Sequence, residues 1–243
     1  MGVLEIRDLH KSFGGTKVIN GFNLDVTELT LCCLVGPNGA GKTTTMDLIT
    51  GRQKPTSGTI VLRGDDITSL SEHEIAQRGI GRKFQVPAVF RELSVRQNFE
   101  VAYSREVNPF RNMLRRRPAG FTDKLDEVAT LTGLKDRLEV EAGFLSHGET
   151  QWLEIGMVLM QNPAILLLDE PVAGMTESEI EKTIVFLNRL KRTNTLIVVE
   201  HDMGFVEAIA DRVTVLHEGR TLYEGSMPGA RRDARVIEVF LGR

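Results

Sequence analysis

The densest group of residues able to do chemistry is GPNGAGKTT, at Gly36–Thr44. It follows an apolar run and matches the G-x-x-x-x-G-K-[ST] phosphate loop, in which glycines let backbone N–H groups close around phosphates. Lys42 can reach the β- and γ-phosphates, and Thr43 can bind Mg²⁺. A chance match in a chain of this length is on the order of one in a hundred. The pattern therefore predicts nucleotide binding rather than a structural glycine-rich turn.

Two carboxylates end the apolar run AILLLDEP, at Ala164–Pro171. Asp169 suits Mg²⁺, either directly or through a bound water, as in other phosphate-loop proteins. Glu170 could polarise a water for in-line attack on the γ-phosphate. A strand can also end in Asp-Glu simply because it emerges at the surface. Together with the phosphate loop, however, the two carboxylates predict a hydrolytic site.

Two further polar residues are candidates for the site only because these motifs are present. His201, in IVVEHDM, follows another apolar run, and the carboxyl edge of a parallel sheet is where ligands gather. Gln85, in GRKFQVPAVF, lies at the junction between the predicted core and a helix-rich segment. Taken alone, each would be interpreted as an ordinary loop residue.

A second candidate phosphate site begins at LSHGETQWLEIG, Leu145–Gly156. Ser146 stands where a helix N-cap belongs and Glu149 follows three residues later, which is the spacing of a capping box. Such a helix start presents free backbone N–H groups and the positive end of the helix dipole to an anion. Trp152, the only tryptophan, lies farther along the same helix and is interpreted as a packing residue.

The elements that position these motifs are predicted to form a mainly parallel sheet covered by helices. Short apolar runs end in loops and are followed by helical periodicity, as at Thr44–Thr50. The expected fold class is α/β, a phosphate-loop NTPase core with an N-terminal antiparallel β-subdomain and an inserted α-helical subdomain. The predicted strands are Leu31–Val35, Ile165–Leu168, Leu196–Val199 and Arg212–Leu216 in the core, and Val3–Arg7, Phe22–Val26 and Thr59–Arg63 in the antiparallel sheet.

The helix-rich segment runs from about Val86 to Asn162 and is interpreted as an insert, residues 86–162, within one domain of residues 1–243. It contains the basic cluster RNMLRRRPAG, at Arg111–Gly120. Such a cluster can be a solvated loop, or it can contact acidic lipid headgroups or the loop of a partner. The sequence leaves both interpretations open.

Composition limits the class of protein. The chain has 243 residues and a formal charge of -3, which gives no general basic footprint for nucleic acid. No stretch approaches the roughly 18 consecutive apolar residues of a membrane-spanning helix, and the N-terminus does not resemble a signal peptide. A membrane function would therefore need a partner to supply the span. Adjacent Cys32 and Cys33 should point to opposite faces of a strand as buried, reduced thiols.

The motifs as a set resemble the ATP-binding-cassette family over nearly the whole chain. The resemblance identifies Asp169 and Glu170 as the Walker B aspartate and the catalytic glutamate, and His201 as the switch histidine. Gln85 matches the Q-loop glutamine and would join Thr43 and Asp169 around Mg²⁺. The implied nucleotide-binding residues are Phe13, which would stack on adenine, Val18 beside it, and Gly36, Asn38, Gly39, Ala40, Gly41, Lys42, Thr43 and Thr44 of the Walker A loop.

The same resemblance implies a reason for a second phosphate site. Leu145–Glu149 resemble the signature motif of that family. In the family two ATPase domains dimerise head to tail, and the helix that begins at the signature motif of one domain caps the ATP held by the other. Ser146, His147, Gly148 and Glu149 would therefore face the partner's ATP. The implied partners are a second ATPase subunit, identical or paralogous, transmembrane permease subunits and, indirectly, a substrate-binding protein, with no nucleic acid. The implied location is peripheral, on the cytoplasmic side of the inner membrane.

Two positions depart from the family pattern. His147 stands where the signature usually has glycine, and Thr176 stands where an aspartate is usual after the Walker B strand. Both departures affect residues that normally connect the two sites of the dimer. Hydrolysis is still expected, because Lys42, Glu170 and His201 are all present.

Within the family, GIGRKFQ, LTGL, EPVAGM and VIEVFLGR resemble ATPases of branched-chain amino acid and amide importers. LSHGETQWLEIGM, EPVAGMT, VVEHDM and RVTVLHEG look closest to the ATPase of urea importers. Uptake of urea or a short-chain amide is therefore expected. The alternatives are a branched-chain amino acid importer, a lipopolysaccharide exporter, whose signature is the plain LSGGE, and a non-transport ATPase of DNA repair or translation. The last class carries long coiled-coil insertions or two joined cassettes, and this chain shows neither.

Overall fold

The computed structural model describes residues 2–83, 89–103 and 120–241. Gln85 and most of the basic cluster lie outside the described residues. The strands are β1 (Gly2–Phe13), β2 (Thr16–Thr27), β3 (Leu31–Val35), β4 (Ser57–Leu62), β5 (Asp65–Asp66), β6 (Ile80–Lys83), β7 (Ile165–Asp169), β8 (Thr195–Val199), β9 (Arg212–His217) and β10 (Arg220–Gly225).

The described helices alternate with these strands along much of the chain. They are α1 (Lys42–Ile49), α2 (Glu72–Gln77), α3 (Val95–Tyr103), α4 (Phe121–Leu131), α5 (His147–Leu159), α6 (Glu177–Leu190), α7 (Met203–Ile209), α8 (Met227–Ala230) and α9 (Ala234–Leu241). Within the described ranges, no helix is both long enough and apolar enough to span a membrane.

The strands form two sheets. An antiparallel sheet has the order β2-β1-β4-β5, and a six-stranded sheet has the order β10-β9-β3-β8-β7-β6. In the larger sheet every neighbouring pair is parallel except β10 with β9. The α/β fold class with its N-terminal antiparallel sheet is thus confirmed. Each predicted strand overlaps a strand of the structure.

Strand β3 explains how the core is divided. Its alternating residues face two apolar clusters, with Leu31, Cys33 and Val35 packed against the helical side and Cys32 and Leu34 packed toward the antiparallel sheet. Both cysteines are free and buried, as predicted. Burial raises the pKa of the Cys32 thiol to about 11, so it stays protonated and unreactive at neutral pH.

Strands β5, β6 and β10 were not predicted. Strand β6 carries Arg82 and Lys83, which are nevertheless buried because they form ion pairs. Lys83 Nζ lies 3.5 Å from Glu154 Oε2, which joins the end of β6 to α5. Strand β10, RTLYEG, has few apolar residues and lies at one edge of the sheet, where its residues are half-buried or exposed. Charged residues in β6 and polar residues in β10 hid both strands from a search for apolar runs.

The described part of the predicted insert is helical. It contains α3, α4 and α5 with two short 3₁₀ helices, Lys135–Arg137 and Ala142–Phe144. An isolated antiparallel bridge pairs Ser94 with Glu141. The boundaries of the insert at residues 86 and 162 stay a prediction.

Candidate nucleotide site

Three of the predicted motifs lie at one edge of the larger sheet. Strands β3, β8 and β7 are adjacent and parallel, so their carboxyl ends meet there. The phosphate loop follows β3, His201 follows β8, and Glu170 follows β7. Backbone bonds tie the three exits together, since the Glu170 N–H donates to Val199 O and the Glu200 N–H donates to Leu34 O.

The shape of the phosphate loop requires glycine at two positions. Gly41 has φ +107°, and a Cβ there would lie 2.6 Å from Ile19 Cδ1. A Cβ at Gly36 would lie 2.2 Å from the backbone oxygen of Leu216. The Gly219 N–H also donates to Ala40 O at 3.0 Å, which fixes the loop against the turn between β9 and β10. At these two positions the loop thus leaves space only for backbone, as a cradle for phosphate oxygens needs.

Lys42 begins α1 and reaches back across the loop. Its Nζ donates to Gly36 O at 2.7 Å and to Pro37 O at 3.0 Å. Burial lowers the pKa of Lys42, while the nearby carboxylates Glu170 and Asp169 act in the opposite direction. The ammonium is therefore already placed inside the loop, close to both carboxylates. Of the other predicted loop residues, Ala40 is buried, Thr44 is half-buried, and Asn38, Gly39 and Thr43 are exposed.

Asp169 is held by a residue that the sequence did not single out. Arg82 Nη2 lies 3.4 Å from Asp169 Oδ2, and its Nη1 lies 2.5 Å from Asp47 Oδ1 on α1. Burial raises the pKa of Asp169, and the guanidinium of Arg82 counteracts that rise. Arg82 therefore offsets part of the cost of burying this carboxylate and connects β6, β7 and α1. A basic residue three positions before Gln85 was the only available signal.

Glu170 and His201 form a pair at the exit of their strands. Glu170 has φ +46°, a left-handed conformation that costs a non-glycine residue of order 1 kcal/mol. Its Oε1 lies 3.4 Å from His201 Nδ1. Behind them lies Glu200, a buried carboxylate whose Oε2 accepts the His201 N–H at 3.2 Å. Burial raises the pKa of Glu200. Sequence reasoning missed Glu200, which adjoins His201 in IVVEHDM.

The start of α5 has the predicted capping box. Ser146 Oγ accepts the Glu149 N–H at 3.2 Å, and Glu149 Oε2 accepts the Ser146 N–H at 2.9 Å. His147 Nε2 lies 3.0 Å from Ala173 O, so the residue that departs from the family pattern connects α5 to the loop after β7. Trp152 packs in the core as predicted, and its Nε1 donates to Thr183 Oγ1 at 2.9 Å.

Glu179 connects the start of α5 to the start of α6. Its Oε1 accepts hydrogen bonds from Ser146 Oγ at 2.9 Å and from the Gly148 N–H at 3.0 Å. Its Oε2 accepts from the Thr176 N–H and hydroxyl at 3.0 and 2.9 Å. These bonds, first those from Thr176 and Ser146, lower the pKa of Glu179 to about 2. Sequence reasoning missed Glu179, although T-x-x-E at Thr176–Glu179 is a capping-box pattern.

Phe13 and Val18 lie on the antiparallel sheet. Phe13 ends β1 and is exposed, with Lys11 Nζ 4.8 Å from the centre of its ring. Val18 lies on β2, and its backbone oxygen would be 3.2 Å from a Cβ at Gly41. The structure thus brings Val18 next to the phosphate loop. The predicted roles of these residues, and of the whole residue set, stay predictions.

The residues present fit a nucleotide with a divalent cation. The donors near the loop are a threonine hydroxyl, Thr43, and a carboxylate, Asp169, and Mg²⁺ prefers such oxygens. Among the described residues, no group of three or more His, Cys, Asp or Glu side chains could hold a metal. Mg²⁺ at phosphate sites usually takes one or two protein oxygens and completes its shell with phosphates and water.

Comparison with known proteins gives consistent matches over the chain. Residues 19–173 match the family model described as ABC transporter. The chain is 36% identical to the high-affinity branched-chain amino acid transport ATP-binding protein BraF of Pseudomonas aeruginosa, covering 99% of this chain and 98% of that protein. It is 35% identical to LivG of Escherichia coli, a protein of the same description, with the same coverage. The ADP conformation of MJ1267, an ATP-binding cassette of an ABC transporter, superposes with a TM-score of 0.88 at 26% identity over the full length of both chains.

Proposed function

Since the chain belongs to the ABC transporter family, we propose that its ATPase activity drives import of branched-chain amino acids through membrane partner subunits. Membership of the family makes the chain an ATP-hydrolysing subunit, and ATP and Mg²⁺ are its cofactors. It is an ATPase of the branched-chain amino acid importer type. The observation that supports a working ATPase best is the meeting of Lys42, Glu170 and His201 at one edge of the sheet.

In the proposed mechanism, the phosphate loop wraps the β- and γ-phosphates with backbone N–H groups, and Lys42 meets them with its ammonium. Lys42 must then exchange its bonds to Gly36 O and Pro37 O for phosphate oxygens. Thr43 and Asp169 would hold Mg²⁺, and Gln85 would supply a third oxygen. Bound Mg²⁺ neutralises charge on the phosphates. Phe13 stacks on adenine, with Val18 beside it.

Glu170 is proposed to orient and polarise the attacking water. Its carboxylate is aimed by a left-handed backbone conformation, and its Oε1 lies 3.4 Å from His201 Nδ1. His201, as the switch histidine, would contact the γ-phosphate. Glu170 and His201 are both partly exposed, so water and substrate can reach them.

The signature residues Ser146, His147, Gly148 and Glu149 are proposed to face ATP bound by a second ATPase subunit. In this arrangement the chain is one nucleotide-binding domain, residues 1–243, and the insert of residues 86–162 carries the signature. The partners are a second ATPase, identical or paralogous, and transmembrane permease subunits that receive substrate from a binding protein. The subunit then works peripherally, at the cytoplasmic face of the membrane.

The transported substrate is assigned from the relatives, because an ATPase subunit does not line the path through the membrane. BraF and LivG are both branched-chain amino acid transport proteins, and they match the chain from end to end. This similarity favours an importer over the exporter and the non-transport alternatives.

Urea or a short-chain amide is the second candidate. It rests on the signature LSHGE and on VAGMT after β7, which look like the urea group. In the structure His147 contacts Ala173 O within that same pair of segments, so the two departures belong to one local arrangement. Such an arrangement can mark pairing with a particular second ATPase without contact to the substrate.

Uptake of radiolabelled leucine and radiolabelled urea by cells lacking this gene tests the assignment. The proposal expects leucine uptake at micromolar concentration to be lost, and to return when the gene is restored but not when the Glu170→Gln variant is supplied. Undiminished leucine uptake with lost urea uptake would reassign the substrate to urea. Loss of neither would remove both candidates.

A further inference from the structure

Glu179 accepts the two hydrogen bonds that the signature would offer to a nucleotide. Ser146 Oγ and the Gly148 N–H both donate to Glu179 Oε1, at 2.9 and 3.0 Å. A hydroxyl and a backbone N–H each have one hydrogen, so neither donor can serve this carboxylate and a phosphate oxygen together. The start of α5 already holds an anion, and that anion comes from the same chain.

We propose that Glu179 is a built-in competitor for the signature, which occupies the start of α5 in the free subunit and must be displaced when the ATP-bound dimer closes. The inference rests on the proposed trans role of Ser146 and Gly148. It assigns a positioning role to a residue outside the phosphate loop and outside the signature itself.

The geometry makes Glu179 suited to release one helix while keeping the other. Its two oxygens have separate duties, because Oε1 serves α5 and Oε2 serves Thr176 at the start of α6. A change in the side-chain torsions could withdraw Oε1 while the capping box of α6 remains. Thr176, one of the two residues that depart from the family pattern, is the residue that keeps Glu179 anchored after release.

Charge and space both oppose simultaneous occupancy. A carboxylate and a phosphoryl group are like charges, and at hydrogen-bonding distance they disfavour each other. Space is also limited, because a Cβ built on Gly148 would lie 2.6 Å from Glu179 Oε1. Glu179 therefore lies directly against the backbone that an incoming phosphate would have to approach.

Glu177 provides a matched control. It carries the same charge, lies in the same first turn of α6, and is exposed. Glu177→Gln therefore removes one negative charge near the same helix end and leaves the contact with α5 intact. Glu179→Asp is a second test variant, because it retains the charge and shortens the reach toward Ser146 by one methylene.

The test measures ATP-driven dimerisation of the full chain in the Glu170→Gln background, by analytical ultracentrifugation over a range of Mg·ATP concentrations. If the purified chain pairs with a paralogous ATPase, the same variants are measured with that subunit present. Removing the competitor should lower the ATP concentration for half-maximal dimerisation by about three- to tenfold in both Glu179→Gln and Glu179→Asp. Glu177→Gln should match the parent.

The experiment distinguishes failure of the competitor role from failure of the trans role of the signature. Dimerisation that is unchanged by Glu179→Gln, or weakened while its circular dichroism matches the parent, would overturn the competitor role alone if the parent and Glu177→Gln dimerise normally. Loss of α6 structure would also weaken dimerisation, so damage to the fold cannot imitate the expected gain. Absence of ATP-driven dimers in every variant, the parent included, would overturn the trans role of the signature and this inference with it.

Discussion

The two candidate phosphate sites of this chain are built in different ways. At the sheet edge, a Cβ at Gly36 or Gly41 would collide with neighbouring atoms, and the carboxylate of Asp169 is buried. At the start of α5, Ser146 and His147 are exposed, and they contact Glu179 and Ala173 O through side-chain hydrogen bonds that can exchange with other partners. The first region is fixed by packing before any ligand binds, whereas the second is held by contacts between exposed side chains.

The largest effect should come from removing the carboxylate at the sheet edge. Glu170→Gln keeps the shape of the side chain but weakens polarisation of water, so kcat for ATP hydrolysis should fall by about 10²- to 10⁴-fold. ATP should remain bound, and the dimer should persist in size-exclusion chromatography with Mg·ATP. A Glu170→Gln protein that stays monomeric and hydrolyses ATP normally would remove the role assigned to Glu170.

A pair of variants tests most directly whether the two sites bind different nucleotides. Lys42→Ala removes the ammonium within the loop and should weaken ATP binding to the isolated chain by about ten- to a hundredfold. Ser146→Arg should leave that affinity nearly intact and abolish dimer-dependent hydrolysis, because the start of α5 is proposed to face the partner's ATP. Isothermal titration and ATPase assays distinguish them. An equal loss of affinity in both variants would place the signature beside the chain's own nucleotide.

The smallest effect concerns the pH dependence of stability. The pKa of Glu179 is about 2 in the folded protein, below the ordinary value of 4.5, so its ionised form favours folding above that ordinary value. This contribution is lost as pH falls through the folded pKa. Glu179→Gln should therefore lower Tm by about 2–4 °C at pH 7, and the difference should vanish toward pH 2.

Thermal unfolding monitored by circular dichroism over that pH range makes the measurement. Glu177→Gln serves as the control and should show no comparable trend. A Tm difference for Glu179→Gln that is equally large at both ends of the range would show that its hydrogen bonds contribute no charge-dependent stability.

The parts of the molecule that sequence predicted well are those set by local chemistry. The phosphate loop needs glycine wherever a Cβ would meet the backbone, as at Gly36, so residue type alone indicates the shape. The capping box at Ser146 likewise depends on residues three apart. Fully apolar runs such as Leu31–Val35 predicted central strands because such strands are buried on both faces.

The parts that sequence missed depend on contacts between distant segments. Arg82 and Lys83 would be assigned to a surface from their charge, and only their partners Asp169 and Glu154 explain their burial. Glu179 could be predicted as a helix cap from its distance to Thr176. Its contact with Ser146, 33 residues away, could not be predicted, because one sequence carries no information on that pairing.

Each of the two adjacent cysteines can report on the local unfolding of a different apolar cluster. Cys32 lies in the apolar cluster beneath the antiparallel sheet, and Cys33 lies in the cluster on the helical side, each fully enclosed. A thiol-alkylating reagent can reach either sulfur only after the cluster around it opens. Peptide mass spectrometry of partly alkylated protein would thus measure the opening rate of each cluster separately, without any introduced cysteine. In the described residues both native thiols are shielded, so cysteines engineered near the signature could be labelled selectively in the native protein.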